Sequence, residues 1–358
     1  MRFGLFYLPT YVAEVHGSYG ALYDEILDEA VFADENGLDT VWCAEHHFMP
    51  YGGAIPSVPV LLSAIAQRTK RIRIGSSSVC LPLHKPLELA EQLAMVDTLS
   101  AGRLNVGVAR AFMVKEYAAM NVDMGESRAR FDESMEVLLG LWTNDSCTHR
   151  GRFWSFDGVS IAPRVVQKPH PPIYVSCVMT RESFENAGHR GWNIMAVPYL
   201  GTLAELEERI GWYHAALREA GHGIEDFQIM VNYHFYAHED HERAKSDPEE
   251  AVIRYLREFA KAVRQDAYSA DYKGYAGLGK LLESIEYDFM YPDRAIFGTP
   301  EKIIDQIRRL EAMGVTEMGL TVNFGGLAHD KIMRSLEVLV RDIVPACRNR
   351  EPARAVAS

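Results

Sequence analysis

The fold is decided most clearly by residues 299–322, TPEKIIDQIRRLEAMGVTEMGLTV. Thr299 and Pro300 are residue types that begin helices, and Gly314 is the type that ends them. The apolar residues between these ends recur every three or four positions, which places them on one helical face: Ile303, Ile307 and Leu310. An apolar run over 315–322 follows at once. The segment therefore predicts an amphipathic helix that leads directly into a buried strand.

The same alternation runs back through the chain from this segment. Helical periodicity separates nearly all of the apolar runs that predict strands, which begin near residues 2, 39, 72, 103, 173, 193, 228 and 316. Eight alternations favour a (β/α)8 barrel, the TIM barrel of the α/β class. A doubly wound sheet is the alternative, but the first strand is not followed by the G-x-G-x-x-G of a dinucleotide-binding unit.

Two segments interrupt the alternation. Alternating residues around Gly151 and Gly158 predict an inserted β-hairpin near 147–162. Residues 265–294, here called the lid segment, contain five tyrosines and three glycines without a sustained period, which favours a lid over the barrel. We predict one barrel domain over 1–346 and a C-terminal tail over 347–358.

Composition excludes several classes of function. The 37 Lys and Arg residues against 49 Asp and Glu residues leave no polybasic surface for nucleic acid or anionic lipid. No uncharged apolar run approaches the roughly 18 to 20 residues of a membrane span, and no signal-peptide pattern is present. The five cysteines are scattered without a C-x-x-C pair. We therefore expect a cytoplasmic protein without a structural zinc, which binds neither nucleic acid nor membranes.

Glu45, His46 and His47 follow the second predicted strand, at the end where barrel enzymes place their catalytic groups. A general acid or base near neutral pH is one hypothesis for a histidine at this place. Purely structural histidines and a metal site are the other two. Consecutive strand residues point to opposite faces, so His46 and His47 do not easily share one ion.

Further candidates occupy the ends of other strands. The small residues over 75–78 let a flat ligand approach the third strand closely. Arg110 and Arg128 form a candidate phosphate clamp, with surface ion pairs as the alternative. Met179 and Thr180 open the helix after the fifth strand, whose free N–H groups favour an anion.

Two further groups of residues are less informative. Three histidines adjoin an acidic segment, and we interpret them as solvated rather than as metal ligands: His234, His238 and His241. Phe6, Tyr7, Phe112 and the tyrosines of the lid segment favour an apolar or aromatic pocket, although core packing explains the same residues. These residues do not determine the substrate.

Six short blocks resemble the bacterial luciferase-like flavin monooxygenases and occur in the same order over nearly the whole chain. The match is poorest over 228–291. The blocks are MRFGLF (1–6), GLDTVWCAEHHF (37–48), LPLHKP (81–86), GRLNVGVAR (102–110), Ser127-Arg128 and FGTP (297–300). The resemblance implies a (β/α)8 barrel with insertions that binds reduced FMN at the C-terminal face of its strands, and we expect a homodimer.

The resemblance also implies roles for individual residues. His46 corresponds to the catalytic histidine of the family. The implied cofactor-binding residues are Ser77, Ser78, Ala109, Arg110, Arg128, Met179 and Thr180. The first two of these correspond to a non-proline cis peptide beneath the isoalloxazine, and the two arginines to the phosphate site. Luciferase itself has a reactive cysteine at the position of Ala109 and a tryptophan at the position of Pro198, so light emission is not expected.

The activity that the resemblance implies is a two-component monooxygenase without a metal. A separate flavin reductase supplies reduced FMN, which reacts with O2 to give a C4a-hydroperoxide. This species oxygenates a small or medium apolar organic substrate, either by attack on an aldehyde or ketone or by hydroxylation. There are two alternatives. One is a deazaflavin-dependent dehydrogenase on the same barrel, and the other is a non-catalytic flavin-binding subunit of a heterodimer.

Overall fold

The strands and helices are taken from a computed structural model, which describes residues 1–264, 272, 275 and 277–348. The strands, in chain order, are β1 (Arg2–Tyr7), β2 (Thr40–Cys43), β3 (Arg73–Ser76), β4 (Val79–Cys80), β5 (Leu104–Ala109), β6 (Cys147–Arg150), β7 (Ser155–Val159), β8 (Ile173–Cys177), β9 (Asn193–Ala196), β10 (Ile229–Ala237), β11 (Ile296–Gly298) and β12 (Glu317–Asn323). All of the strand positions predicted from the sequence are therefore confirmed.

Helices follow most of the barrel strands. They are α1 (Ala13–His16), α2 (Tyr19–Glu35), α3 (Val58–Arg68), α4 (Pro86–Leu99), α5 (Val114–Ala119), α6 (Ser127–Thr143), α7 (Arg181–His189), α8 (Leu203–Glu219), α9 (His241–Ser246), α10 (Glu249–Val263), α11 (Leu278–Ser284), α12 (Tyr287–Met290), α13 (Pro300–Ala312), α14 (His329–Val338) and α15 (Val344–Arg348). A π-helical turn joins the last two. Among the residues described, no helix combines the length and the apolar character that crossing a bilayer requires.

The parallel strands close into a barrel. Within the described residues, eight strands pair in the cyclic order β1, β2, β3, β5, β8, β9, β10 and β12. Strand β12 completes the ring because it pairs with β10 on one side and with β1 on the other, where Leu5 faces Leu320. The predicted (β/α)8 barrel is thus confirmed over the doubly wound sheet. Helix α13 begins at Pro300 after Thr299, and Gly314 follows it with φ +97°, as predicted.

The third predicted strand begins near residue 72 as expected, but it is not one continuous strand. The structure has two strands, β3 and β4, separated by a cis peptide between Ser77 and Ser78. Both strands pair with β5, but their registers differ: Gly75 faces Asn105, and Val79 faces Val108. The Ser77–Ser78 segment therefore leaves the regular ladder at the C-terminal end of the barrel.

The opposite end of the barrel is filled by side chains. The indole N–H of Trp42 donates to the buried Glu317 carboxylate at 2.7 Å, and the Arg2 guanidinium lies 3.4 Å from its other oxygen. A Cβ at Gly75 would lie 2.4 Å from the Trp42 ring, so glycine is what allows the indole to cross the barrel there. Because these side chains fill this end of the barrel, a ligand is expected at the C-terminal ends of the strands.

The predicted hairpin near 147–162 is confirmed as the antiparallel pair β6 and β7. The carboxylate of Glu133, on α6, accepts hydrogen bonds from the backbone N–H groups of three consecutive residues in the turn between β6 and β7: Arg152, Phe153 and Trp154. This contact holds the hairpin on the outside of the barrel.

The lid segment is partly outside the described residues, since 265–271, 273, 274 and 276 are not among them. Its described part contains α11 and α12. The sequence analysis found no sustained period in this segment and therefore did not predict these helices. The Arg257 guanidinium donates to the carbonyls of Leu282 and Ile285 and ties α11 to α10. The predicted domain boundary at residue 346 falls within α15, and the predicted tail from residue 349 onward lies outside the described residues.

Candidate active site

A cavity of about 580 Å³ lies at the C-terminal ends of the barrel strands. It is lined by every residue that the sequence analysis proposed for catalysis or cofactor binding: His46, Ser77, Ser78, Ala109, Arg110, Arg128, Met179 and Thr180. These residues come from four different β/α connections, those after β2, β3, β5 and β8, and closure of the barrel brings them together. Their individual roles remain predictions.

His46 is held in the cavity wall by a carboxylate from another connection. Its Nδ1 lies 3.0 Å from Oε1 of Glu116, a fully buried residue of α5. The same oxygen accepts the backbone N–H of His47 at 2.8 Å. Because a carboxylate can only accept, Nδ1 carries the hydrogen in this pair, which leaves Nε2 as the ring nitrogen that can exchange a proton. The arrangement fixes both the orientation and the tautomer of His46.

Glu45 is the centre of a second hydrogen-bonded group beside His46. Its carboxylate lies 2.7 Å from Nε2 of His47 and 2.8 Å from Nε2 of His84. Burial acts to raise the pKa of Glu45, but the hydrogen bonds from the two histidines outweigh it and lower that pKa to about 2. Burial lowers the pKa of His47, and the hydrogen bond with Glu45 reverses this and raises it. His47 thus forms a buried ion pair with Glu45, while His46 lines the cavity.

The serines around the cis peptide form the middle of the cavity wall. The hydroxyl groups of Ser78 and Ser176 lie 2.6 Å apart, and Ser77 donates to the sulfur of Met195. Just below them, the Ser76 hydroxyl donates to the carbonyl of Gly107 at 2.8 Å and accepts its N–H at 2.9 Å. These contacts hold β3 tightly against β5. The middle of the cavity wall is therefore a surface of small side chains.

Cationic side chains gather on the α6 and α7 side of the cavity. The Arg128 guanidinium makes a two-point ion pair with Glu182, and Arg190 pairs with Asp132 at 2.9 Å. Arg128 and Glu182 are both partly exposed, and such pairs are weak, so a phosphate can compete with the carboxylate for Arg128. Thr180 precedes α7 and places the free N–H groups of its first turn at the same end.

The family model described as "Luciferase-like monooxygenase" matches residues 1–317. This chain belongs to the luciferase-like monooxygenase family. It is accordingly an enzyme, an oxidoreductase of the monooxygenase class.

Relatives and solved structures agree with this assignment over nearly the full length of the chain. The oxygenase component of a flavin-dependent trigonelline monooxygenase from Acinetobacter baylyi is 29% identical, over 97% of this chain and 95% of its own. The monooxygenase RslO1 from Streptomyces bottropensis has a TM-score of 0.85 at 31% identity, over 96% of this chain and 99% of its own. The oxygenating constituent of 3,6-diketocamphane monooxygenase from Pseudomonas putida, solved in complex with FMN, has a TM-score of 0.78 at 20% identity, over 97% of this chain and 98% of its own.

The cavity of this luciferase-like monooxygenase has the chemistry that FMN requires. Its cationic end, at Arg110 and Arg128, suits a phosphate. Its middle, formed by the small side chains of Ser77, Ser78 and Ala109, suits a flat ring system, and its volume lies in the usual range for a cofactor site. The lining residues therefore fit the phosphate and the ring system of FMN.

Several residues of the site were not found from the sequence. Glu116 lies in a short helix without marked periodicity, and nothing local indicates that it meets His46. Ser176 ends a barrel strand, so the rule that placed His46 could have found it as well. Tyr199 and Tyr255, which also line the cavity, lie outside the aromatic residues that the sequence analysis selected.

The interpretation of His234, His238 and His241 as solvated was wrong in part. His234 and His238 are buried and only His241 is exposed. His234 lies within β10, all of whose residues are buried, and neither of its ring nitrogens has a hydrogen-bond partner among the described residues. Its ring contacts those of Tyr199, Tyr255 and Phe324. Burial lowers the pKa of His234 to about 3, so it is neutral at physiological pH.

We expect His234 to make the protein less stable in acid. In the unfolded chain a histidine binds a proton as the pH falls below about 6.5, whereas the folded protein excludes it until the pH approaches 3. This difference should cost about 2 kcal/mol of unfolding free energy between about pH 8 and pH 5. His234→Phe, which keeps an aromatic ring, should remove this part of the pH dependence in urea unfolding. His241→Gln is the exposed control, and equal slopes for His234→Phe and the wild type would contradict the prediction.

Proposed function

We propose that this chain is the oxygenase component of a two-component monooxygenase, acting as a homodimer. It uses reduced FMN delivered by a separate flavin reductase, and O2, to oxygenate an apolar organic substrate, with a flavin C4a-hydroperoxide as the oxygenating species. The relative from Acinetobacter baylyi, itself named an oxygenase component, supports the two-component arrangement. The neighbour solved with FMN supports the choice of flavin.

The observation that carries the proposal is the pairing of His46 with Glu116 in the wall of a cavity that suits FMN. When bound, reduced FMN supplies the electrons that activate O2. The task of the protein is to position the reactants, exclude water and control one proton. His46 is suited to hold or release a proton at Nε2, because Glu116 fixes its other nitrogen.

Water exclusion falls to the apolar residues around His46. Phe112 lies edge-on to the imidazole with ring centroids 6.0 Å apart, and the Tyr51 ring lies 5.1 Å from it. Both side chains line the cavity, and Phe6 and Leu8 from β1 and the loop after it complete this part of the wall. A substrate in this part of the cavity therefore meets little bulk water beside His46.

Glu116→Gln is expected to lower the amount of product formed per flavin oxidised about tenfold, since a hydrogen bond to a charged group contributes about 1.5–3 kcal/mol. FMN affinity should stay nearly unchanged, because Glu116 contacts His46 and His47 and is absent from the cavity lining. Product yield and hydrogen peroxide release, measured in parallel, give the result.

Glu133→Gln is the matched control for this substitution. Glu133 is also a buried carboxylate that accepts backbone N–H groups, but it holds the hairpin rather than His46. This variant should lose stability without losing product per flavin oxidised. If both variants lowered the yield alike, the effect of Glu116 would be structural rather than specific to His46.

The direct test of the proposed function is rapid mixing of the protein, loaded anaerobically with reduced FMN, with oxygenated buffer. We expect the oxidised-flavin spectrum to return at least about tenfold more slowly than for free reduced FMN, because the cavity excludes water. Oxidation at the rate of the free flavin would contradict the proposal. Binding of a reduced deazaflavin in preference to FMN, with hydride transfer in the absence of O2, would instead support a dehydrogenase.

A further inference from the structure

We infer that the end of the cavity beside His46 binds a flat aromatic compound through a neutral carbonyl or hydroxyl oxygen, in preference to a linear aliphatic compound or a carboxylate. The inference rests on the proposed function, because it names the substrate class of the same site. It is carried by one surface, here called the aromatic wall: Tyr51, Phe112, Tyr199, Tyr255 and Phe259.

The aromatic wall is built of rings that contact one another. The rings of Tyr51 and Phe259 stack with centroids 4.5 Å apart and an interplanar angle of 11°. Tyr255 lies 5.3 Å from Tyr51, and Phe112 lies edge-on to Phe259 at 6.2 Å. Mutually packed rings lose little freedom when a ligand binds, and they favour stacked or edge-on contact with another ring. A linear chain gains much less from such a surface.

The position of the aromatic wall places its ligand next to the predicted catalytic group. Tyr51 and Phe112 contact the His46 ring directly, and both also contact Phe259. A ring that packs on this wall therefore lies beside Nε2 of His46. That is the position a substrate must occupy if His46 controls a proton during oxygenation.

Three hydroxyl groups on the aromatic wall give it a polar end. The hydroxyl of Tyr255 lies 3.1 Å from that of Tyr51 and 3.3 Å from that of Tyr199. These two contacts use two of the three hydroxyl hydrogens, and the third is shared between the Tyr51–Tyr199 contact and a ligand oxygen that reaches this end. Asn232, also in the lining, has its Oδ1 occupied by the Thr321 hydroxyl at 2.7 Å. Its NH2 group is a further donor in the cavity lining.

The charge at the polar end of the aromatic wall determines which kind of ligand oxygen is favoured there. Burial raises the pKa of Tyr51, Tyr199 and Tyr255, so all three hydroxyls are neutral donors. His234, packed behind two of them, is neutral as well, and the carboxyl group of Glu116 also acts to raise the pKa of Tyr51. A carboxylate here would lose its hydration, and none of the five side chains of the aromatic wall supplies a positive charge in return, whereas a ketone or phenol oxygen loses little.

Four probes of similar size test the inference on the full-length protein, with and without oxidised FMN. They are 1-tetralone, an aromatic ketone; 2-decanone, a linear ketone; 1-naphthoate, an aromatic carboxylate; and naphthalene, an aromatic ring without oxygen. Titration calorimetry should show 1-tetralone binding at least about tenfold more tightly than 2-decanone or 1-naphthoate. Equal or tighter binding of the linear ketone or of the carboxylate would overturn the inference.

The hydroxyl groups are tested by the triple variant Tyr51→Phe/Tyr199→Phe/Tyr255→Phe, which keeps all three rings and removes every hydroxyl of the aromatic wall. It should bind 1-tetralone about fivefold more weakly or worse and bind naphthalene within about twofold of the wild type. Unchanged 1-tetralone affinity would refute the role of the hydroxyls. Tyr213→Phe removes a hydroxyl that donates to the Trp192 carbonyl, and because Tyr213 itself does not line the cavity, this variant should change neither affinity.

The outcomes separate the substrate class from the proposed function. Probe binding requires neither reduced flavin nor O2, whereas the rapid-mixing experiment requires no substrate. A protein that ranks the probes as expected but does not slow flavin oxidation would retain the aromatic site and lose the monooxygenase proposal. The reverse result would retain the monooxygenase and reject the aromatic, neutral substrate.

Discussion

Replacing His46 with asparagine is expected to lower the yield of oxygenated product per flavin oxidised by about a hundredfold or more, since a positioned acid or base contributes about 10² to 10⁴ in rate. Asparagine keeps a short N–H donor that can reach Glu116 from the position of Nδ1, but it has nothing in place of Nε2. The reduced flavin should still be oxidised, with its reducing equivalents released as hydrogen peroxide. Product and peroxide are measured together in the coupled assay with a flavin reductase.

Two comparisons identify the cause of that loss. FMN affinity of His46→Asn should stay within about threefold of the wild type, because the residues predicted to bind the phosphate and the ring lie on other connections. His46→Ala leaves the buried Glu116 carboxylate without its imidazole partner, so it should lose stability in addition to activity. Normal product yield from His46→Asn would exclude proton transfer by His46 and leave it a structural role.

Replacing Gly107 with alanine is expected to have the largest effect on the architecture of the site. A Cβ at this position would lie 2.0 Å from the Ser76 carbonyl oxygen and 2.7 Å from Cε of Met195. Met195 can move its side chain, but the carbonyl belongs to the neighbouring barrel strand, which must shift. Overpacking of this kind costs about 1–3 kcal/mol and more where backbone must move. We expect a loss of about 3 kcal/mol or more in urea unfolding.

The same substitution should weaken FMN binding, because the displaced strand carries Ser77 and Ser78. A decrease of about tenfold in affinity corresponds to about 1.4 kcal/mol, a modest share of the total effect. Gly211→Ala in α8 is the matched control. No atom lies within 4 Å of a Cβ at Gly211, and alanine in a helix is favoured by about 0.5–1 kcal/mol, so this variant should be slightly more stable. Equal stability of Gly107→Ala and the wild type would show that β3 and β5 are less tightly held than their contacts indicate.

The sequence alone indicates the importance of His46 but not that of Gly107. His46 could be selected from the sequence because it follows a short buried strand, and in a barrel such positions lie at the ligand-binding end. Gly107 appears in the sequence only as one small residue within an apolar run. That it must be glycine depends on the distance between β3 and β5, which is a property of the paired strands.

His234 shows where local pattern is misleading. An acidic segment follows it in the chain, and this composition indicated a solvated surface. In the folded protein the segment begins only after β10 ends, and β10 itself is covered on both faces. A strand buried on both faces shows no alternation between polar and apolar positions, so periodicity could not reveal that His234 was inside.

The sequence by itself determined the barrel, the order of its eight strands, the hairpin and the positions around the cavity. Those features depend on periodicity, helix ends and turn residues, which act over a few neighbouring residues. Only the tertiary structure decided which polar groups meet. Glu116 reaches His46 from 70 residues further along the chain, and Tyr255 reaches Tyr51 from 204 residues away. Contacts at such separations exist only because the strands close into a ring, and no local pattern encodes which side chains that closure brings together.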